Sequence, residues 1–108
     1  MVCSAFSSAG AWWKFNESGL VPGAVTKLRA SDGANLGAFP VGSYPYGVAF
    51  DGSSIWVANR YSGSVTKLRA SDGANLGAFP VGSSPLGVAF DGSSIWVTNQ
   101  NSGTVSKL

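Results

Sequence analysis

The sequence predicts an all-β fold built from repeated four-stranded antiparallel units. Three observations carry this expectation. Residues 25–64 reappear as residues 65–104 with only six of the paired positions changed, and a third copy begins at Val105. The chain is rich in turn formers, with 15 Gly and 5 Pro in 108 residues. No stretch sustains the 3.6-residue apolar period of a helix, whereas short β-branched runs alternate with turn signals. Four short strands in a unit of 40 residues are the pattern of one β-propeller blade.

Residues 1–24 read as a leader outside the repeat. Trp12, Trp13 and Phe15 alternate loosely with Lys14 and Asn16, which allows one degenerate strand, and Asn16 to Gly19 echoes the turn Asn59 to Gly63. An aromatic anchor without regular structure is the other reading of this segment. Pro22-Gly23 separates it from the repeats. Within the repeat, Val25 to Arg29 is β-branched and alternating, and is called strand C. Ser31-Asp32-Gly33 is a hairpin turn, because Gly tolerates positive φ. Asn35 to Phe39 is strand D, ended by Pro40. Tyr46 to Phe50 is strand A, expected nearest the axis, and Asp51 to Ser54 turns the chain into strand B, Ile55 to Asn59. Arg60 to Gly63 leads to the next copy. By this count the chain holds about two blades: a C–D half, a full blade and an A–B–C remainder.

Two blades leave apolar faces uncovered, since each blade packs between two neighbours. The expected partner is therefore a second copy of the chain. Three chains would close a ring of six blades and four a ring of eight. A longer polypeptide supplying the missing blades is the alternative.

Composition narrows the function classes. The net charge is +2, with charged residues making up 11% of the chain, too sparse for a nucleic-acid footprint. No apolar run reaches transmembrane length. The first ten residues lack the basic segment of a signal peptide. Cys3 is the single cysteine, so redox compartment is not readable, and His is absent, which removes the commonest general base and metal ligand. Each of Asp32, Asp51, Asp72 and Asp91 precedes a Gly in a turn rather than clustering as a cation site would require. No cofactor or metal is expected. Lys27 and Arg29, like Lys67 and Arg69, share a strand face, placed either for a basic ring or for a solvated outer face. Trp56 and Trp96 offer stacking surfaces, but apolar strands more often bury such residues.

The two copies differ at Tyr44/Ser84, Tyr46/Leu86, Ala58/Thr98, Arg60/Gln100, Tyr61/Asn101 and Ser64/Thr104. Strand order places the B–C and D–A connections at one end of the sheets, so this variation gathers on one rim. Tyr44, Tyr46, Arg60, Tyr61, Gln100 and Asn101 are the candidate binding residues, since loops on a rigid scaffold carry recognition. Neutral drift on tolerant loops is the competing account.

Residues 84–108, Ser-Pro-Leu-Gly-Val-Ala-Phe-Asp-Gly-Ser-Ser-Ile-Trp-Val-Thr-Asn-Gln-Asn-Ser-Gly-Thr-Val-Ser-Lys-Leu, resemble the YVTN-type β-propeller repeat and, more distantly, NHL repeats. Ile95 to Asn99 stands at that family's aromatic-Val-Thr-Asn signature, and the following hairpin resembles Ala30 to Gly42, which ends in Pro-Val-Gly. The resemblance covers residues 25–108. It implies a non-catalytic binding or scaffold propeller, often extracytoplasmic. Related propeller lyases make a lyase-like enzyme the more distant alternative. Near-identity of the copies leaves a third reading, a recently duplicated fragment of a longer propeller or an assembly unit without a function of its own.

Overall fold

The computed structural model describes residues 4–7, 11–15 and 23–108, the first two segments as backbone apart from the Trp13 side chain. The turn read at Asn16 to Gly19 lies outside the described residues. Among the described residues, eleven strands form three antiparallel sheets. Sheet 1 comprises β1 (Ser4–Ser7), β2 (Ala11–Phe15), β3 (Ala24–Arg29) and β4 (Asn35–Pro40). Sheet 2 comprises β5 (Pro45–Phe50), β6 (Ser54–Asn59), β7 (Ser64–Arg69) and β8 (Asn75–Pro80). Sheet 3 has three strands, β9 (Pro85–Phe90), β10 (Ile95–Asn99) and β11 (Thr104–Lys107). Within each sheet, neighbouring strands follow one another along the chain.

The count of two blades is corrected here. Residues 4–7 and 11–15 supply the first and second strands of sheet 1, so its β3–β4 hairpin is not a half-unit. The register shows the equivalence. Trp13 pairs with Lys27, Trp56 with Lys67 and Trp96 with Lys107. Each Lys ammonium sits over its Trp ring, at 5.4, 5.0 and 5.2 Å from the centroid. The leader thus contains divergent copies of strands A and B.

The sheets stack face to face, with β5 lying against β1 on one side and β9 on the other. Alternation sends Ile55 and Val57 toward sheet 1 and Trp56 toward sheet 3. Two apolar layers result. One joins Trp13 and Val25 to Val48, Ile55, Val57 and Leu68. The other joins Trp56 and Val65 to Ile95 and Val97. Phe39 from β4 lies 5.4 Å from the Trp13 ring and covers Gly73, where an added Cβ would stand 2.2 Å from the Phe39 ring. The inner strands approach closely at Gly47, where a Cβ would stand 2.1 Å from the Leu86 carbonyl oxygen.

Lys27 and Arg29 do not share a solvated face. Lys27 is buried under sheet 2, and its Nζ donates to the Ala70 carbonyl at 2.9 Å. Arg29 is exposed and pairs with Asp32 at 3.1 Å, as Arg69 does with Asp72. These exposed pairs contribute little stability.

Candidate functional site

Both ends of the sheets are built from short side-chain locks. At one end, the A–B turn is closed by its aspartate. Asp51 Oδ1 accepts from the Ser53 and Ser54 N–H groups at 2.9 and 2.7 Å, and Oδ2 accepts from Trp56 Nε1 at 2.8 Å. Asp91 repeats the arrangement, with Trp96 Nε1 at 2.7 Å. The indole bond, followed by the two N–H groups, holds the Asp91 carboxyl at about 2. Burial raises the Asp51 value, but the bonds from Trp56, Ser53 and Ser54 together outweigh it and leave it lowered. Residues 7–11, Ser-Ser-Ala-Gly-Ala, contain no Asp, and Trp13 Nε1 has no partner among the described residues.

A pH dependence follows. A carboxyl whose folded-state value lies below its unfolded value stabilises the fold above about pH 4. That contribution is lost as the pH falls through the folded value, near 2 for Asp91. Stability is therefore expected to decline between about pH 4 and pH 2, followed by tryptophan emission during urea titration. Asp51→Asn with Asp91→Asn should flatten that decline. An unchanged slope in the double variant would show that these carboxyls do not carry it.

At the opposite end, Asn59 and Asn99 are fully buried. Asn59 Oδ1 accepts from the Gly42 N–H at 3.0 Å, while Nδ2 donates to Thr66 Oγ1 at 2.8 Å and Ser64 Oγ at 3.2 Å. Asn99 makes the matching bonds to Gly82, Ser106 and Thr104. Each Asn ties the D–A connection to strands B and C. Backbone bonds complete the lock: the Arg60 N–H donates to the Tyr44 carbonyl and the Tyr61 N–H to the Ser43 carbonyl, with Gln100 to Ser84 and Asn101 to Ser83 in the next copy. The B–C and D–A connections therefore do share one rim.

On this rim Tyr44 and Tyr61 are both exposed, at 58% and 63%, yet their ring centroids are only 4.2 Å apart. The Arg60 guanidinium lies 5.6 Å from the Tyr61 centroid. Arg60 makes no ion pair among the described residues, and its buried Nε has no hydrogen-bond partner among them. The four Asp residues occupy the turns of the other end. Tyr44 adopts φ 54°, as does Ser84 at the equivalent position. That left-handed conformation is uncommon for a non-glycine residue and marks a backbone held by its surroundings.

Beside the tyrosine pair is an open depression of about 460 Å³ between the B–C turn of sheet 2 and the first connections of sheet 3. It is lined by Arg60, Tyr61, Ser62 and Gly63 on one side and by Ser83, Ser84 and Asn101 on the other. Of the six candidates, Arg60, Tyr61 and Asn101 meet in this depression, and the Tyr44 ring lies against Tyr61, tilted 37° to it. Gln100 is exposed on the same rim outside the lining, and Tyr46 lies half-buried on β5. Ser62, Gly63 and Ser83 were not singled out, because they are identical to Ser102, Gly103 and Ser43 and a comparison of copies passes over them. Trp56 is buried and belongs to the core, whereas Trp96 is 39% exposed.

No family model matches the sequence, and no curated protein matches it. Solved structures do. The WD40 repeats of RRP9 share 16% identity at a TM-score of 0.81, over 98% of this chain and 35% of that one. BamB from Moraxella catarrhalis shares 16% at a TM-score of 0.78, over 96% and 30%. Hydrazine synthase from Kuenenia stuttgartiensis shares 25% at a TM-score of 0.78, over 89% and 28%. The chain has the β-propeller fold. Its three sheets are propeller blades, with β1, β5 and β9 as the inner strands. The chain spans about a third of the length of each of these three matched chains.

Proposed function

We propose that this chain is a non-catalytic propeller scaffold that binds a partner protein on the rim formed by the B–C and D–A connections. The observation that carries this is the exposed Tyr44–Tyr61 pair with Arg60 beside it, at the mouth of the depression between blades 2 and 3. Tyrosine and arginine supply much of the binding energy at protein interfaces, and two rings already in contact lose little freedom on binding. The rim presents a cation without a carboxylate among the described residues, which favours an acidic segment of the partner. The likeness to WD40 and BamB propellers supports a scaffold of this kind, and the absence of His from the sequence weighs against a lyase-like reading. Within the propeller class, the Ile95 to Asn99 and Pro40-Val41-Gly42 segments support the YVTN-type repeat.

The test is selection from a displayed peptide library. Enriched peptides are expected to contain Asp or Glu next to an apolar residue. Tyr61→Ala and Arg60→Ala should each weaken binding by about 2 kcal/mol. Asp32→Ala, at the other end of the blades, should leave it unchanged. Peptides that bind all three variants equally would refute the rim assignment. A second reading, that these blades form part of a longer propeller, is favoured by the fraction of each neighbour that the chain spans.

A further inference from the structure

The three blades carry nearly the same residues in unequal surroundings. On the face directed to the following blade, Trp13 is 0% exposed, Trp56 9% and Trp96 39%. Val25 and Val65 are 0% exposed, but their counterpart Val105 is 56% exposed. The first two faces are covered by the next sheet, and the third has no sheet on it among the described residues. The opposite end of the stack shows the complementary deficit. On the face directed to the preceding blade, Leu68 and Ala70 are buried, whereas Leu28 is half-buried and Ala30 exposed. Gly73 is buried beneath Phe39, and its counterpart Gly33 is open. The described residues thus present two unlike faces, each made of residue types that pack against the other kind inside the molecule.

We propose that the open face of sheet 3 docks on the open face of sheet 1 of a second copy, and that two copies close head-to-tail into a ring of six blades. The existing interfaces define the geometry. In the interior, Trp13 and Val25 pack on Leu68 and Ala70, and Lys27 Nζ reaches the Ala70 carbonyl. By the same register, Trp96 and Val105 of one copy meet Leu28 and Ala30 of the other. Lys107, which lies over the Trp96 ring at 5.2 Å, then reaches the partner's Ala30 carbonyl. An interface between unlike faces closes only if the rotation per blade adds up to a full turn. Three sheets per chain give six for two chains, within the range of propellers. This replaces the trimer and tetramer expected from a two-blade chain. The interface lies on the blade faces and is independent of the rim assignment.

The mass of the purified chain in solution tests this directly. A dimer is expected, with Trp96 emission shifted to the blue on association. Trp96→Glu and Leu28→Glu should each yield monomers that keep the β-sheet circular dichroism of the parent. Mixed, they should form a heterodimer, because one interface is then unmutated on both sides. Val105→Lys, at a more exposed position, gives a second disruption of the sheet 3 face should Trp96→Glu fail to fold. A folded monomer at all concentrations would overturn the proposal. So would a Leu28→Glu variant that stays dimeric while Trp96→Glu does not, which would indicate two sheet 3 faces meeting each other.

Discussion

Gly47→Ala is expected to destabilise the chain by about 3 kcal/mol, near the upper end of what an added methyl group does in a packed interior. The methyl carbon would stand 2.1 Å from the Leu86 carbonyl oxygen, an atom of the β9 backbone that cannot swing aside. Relief requires β5 and β9 to separate, which opens the layer containing Trp56, Ile95 and Val97. Gly87→Ala provides the comparison. Its methyl would meet Thr98 Oγ1 at 3.0 Å, the end of a side chain on an exposed residue, and should cost about 1 kcal/mol. Urea unfolding of the two variants measures the difference. Equal losses would mean that the approach of inner strands does not limit packing.

Asn59→Ala should cost a similar amount, about 3 kcal/mol, for a different reason. The substitution leaves the Gly42 N–H and the Thr66 hydroxyl without their partner, and the site is closed to water by Asn59's own full burial. Asn59→Asp separates the two halves of the lock. A carboxylate still accepts from Gly42, but it has no N–H for Thr66 or Ser64. It should also be strongly destabilising at neutral pH, since it would bury a charge. A native-like midpoint for the Asp variant would contradict the assignment of Nδ2 toward Thr66. Both positions also explain Gly42 and Gly82, where a Cβ would stand 2.6 and 2.8 Å from the Asn side chain.

Much of the architecture was legible because the turns announce themselves. Asp-Gly at 32–33, 51–52, 72–73 and 91–92 divides the repeats into strands, and the structure places strand boundaries at those turns. Of the first pair of strands only one was read, as a degenerate strand, because residues 7–11 have neither the Asp-Gly nor the Asp that binds the tryptophan. What survives is Ala5-Phe6 followed by Trp13, against Ala49-Phe50 followed by Trp56. The same residues in the same order, one position further apart, were the available signal, but without Asp-Gly between them it is weak. Lys27 was misread for a different reason. Alternation along a strand says which residues share a face, but not that another sheet covers that face and supplies a carbonyl for the ammonium. The rim was legible through its variable positions. The depression was not, because three of its seven lining residues are two serines and a glycine that both copies share.

The pairing of each strand with its chain neighbour has a consequence for folding. Val25 to Arg29 and Val65 to Arg69 are the same five residues, so β6 has two chemically equivalent partners, β3 and β7. Contacts to these five residues cannot tell them apart; what can is the Asn59–Ser64 bond, for which β3 offers only Ala24, and the length of chain to be closed. The native hairpin closes residues 60–63, whereas pairing with β3 would close residues 30–53, a loop six times as long. Loop-closure entropy then favours the native choice by about 1.6 kcal/mol, roughly a fifteenfold preference. Errors of one repeat are therefore expected as a minor species during refolding, and the occupation of β3 by β2 is what removes them.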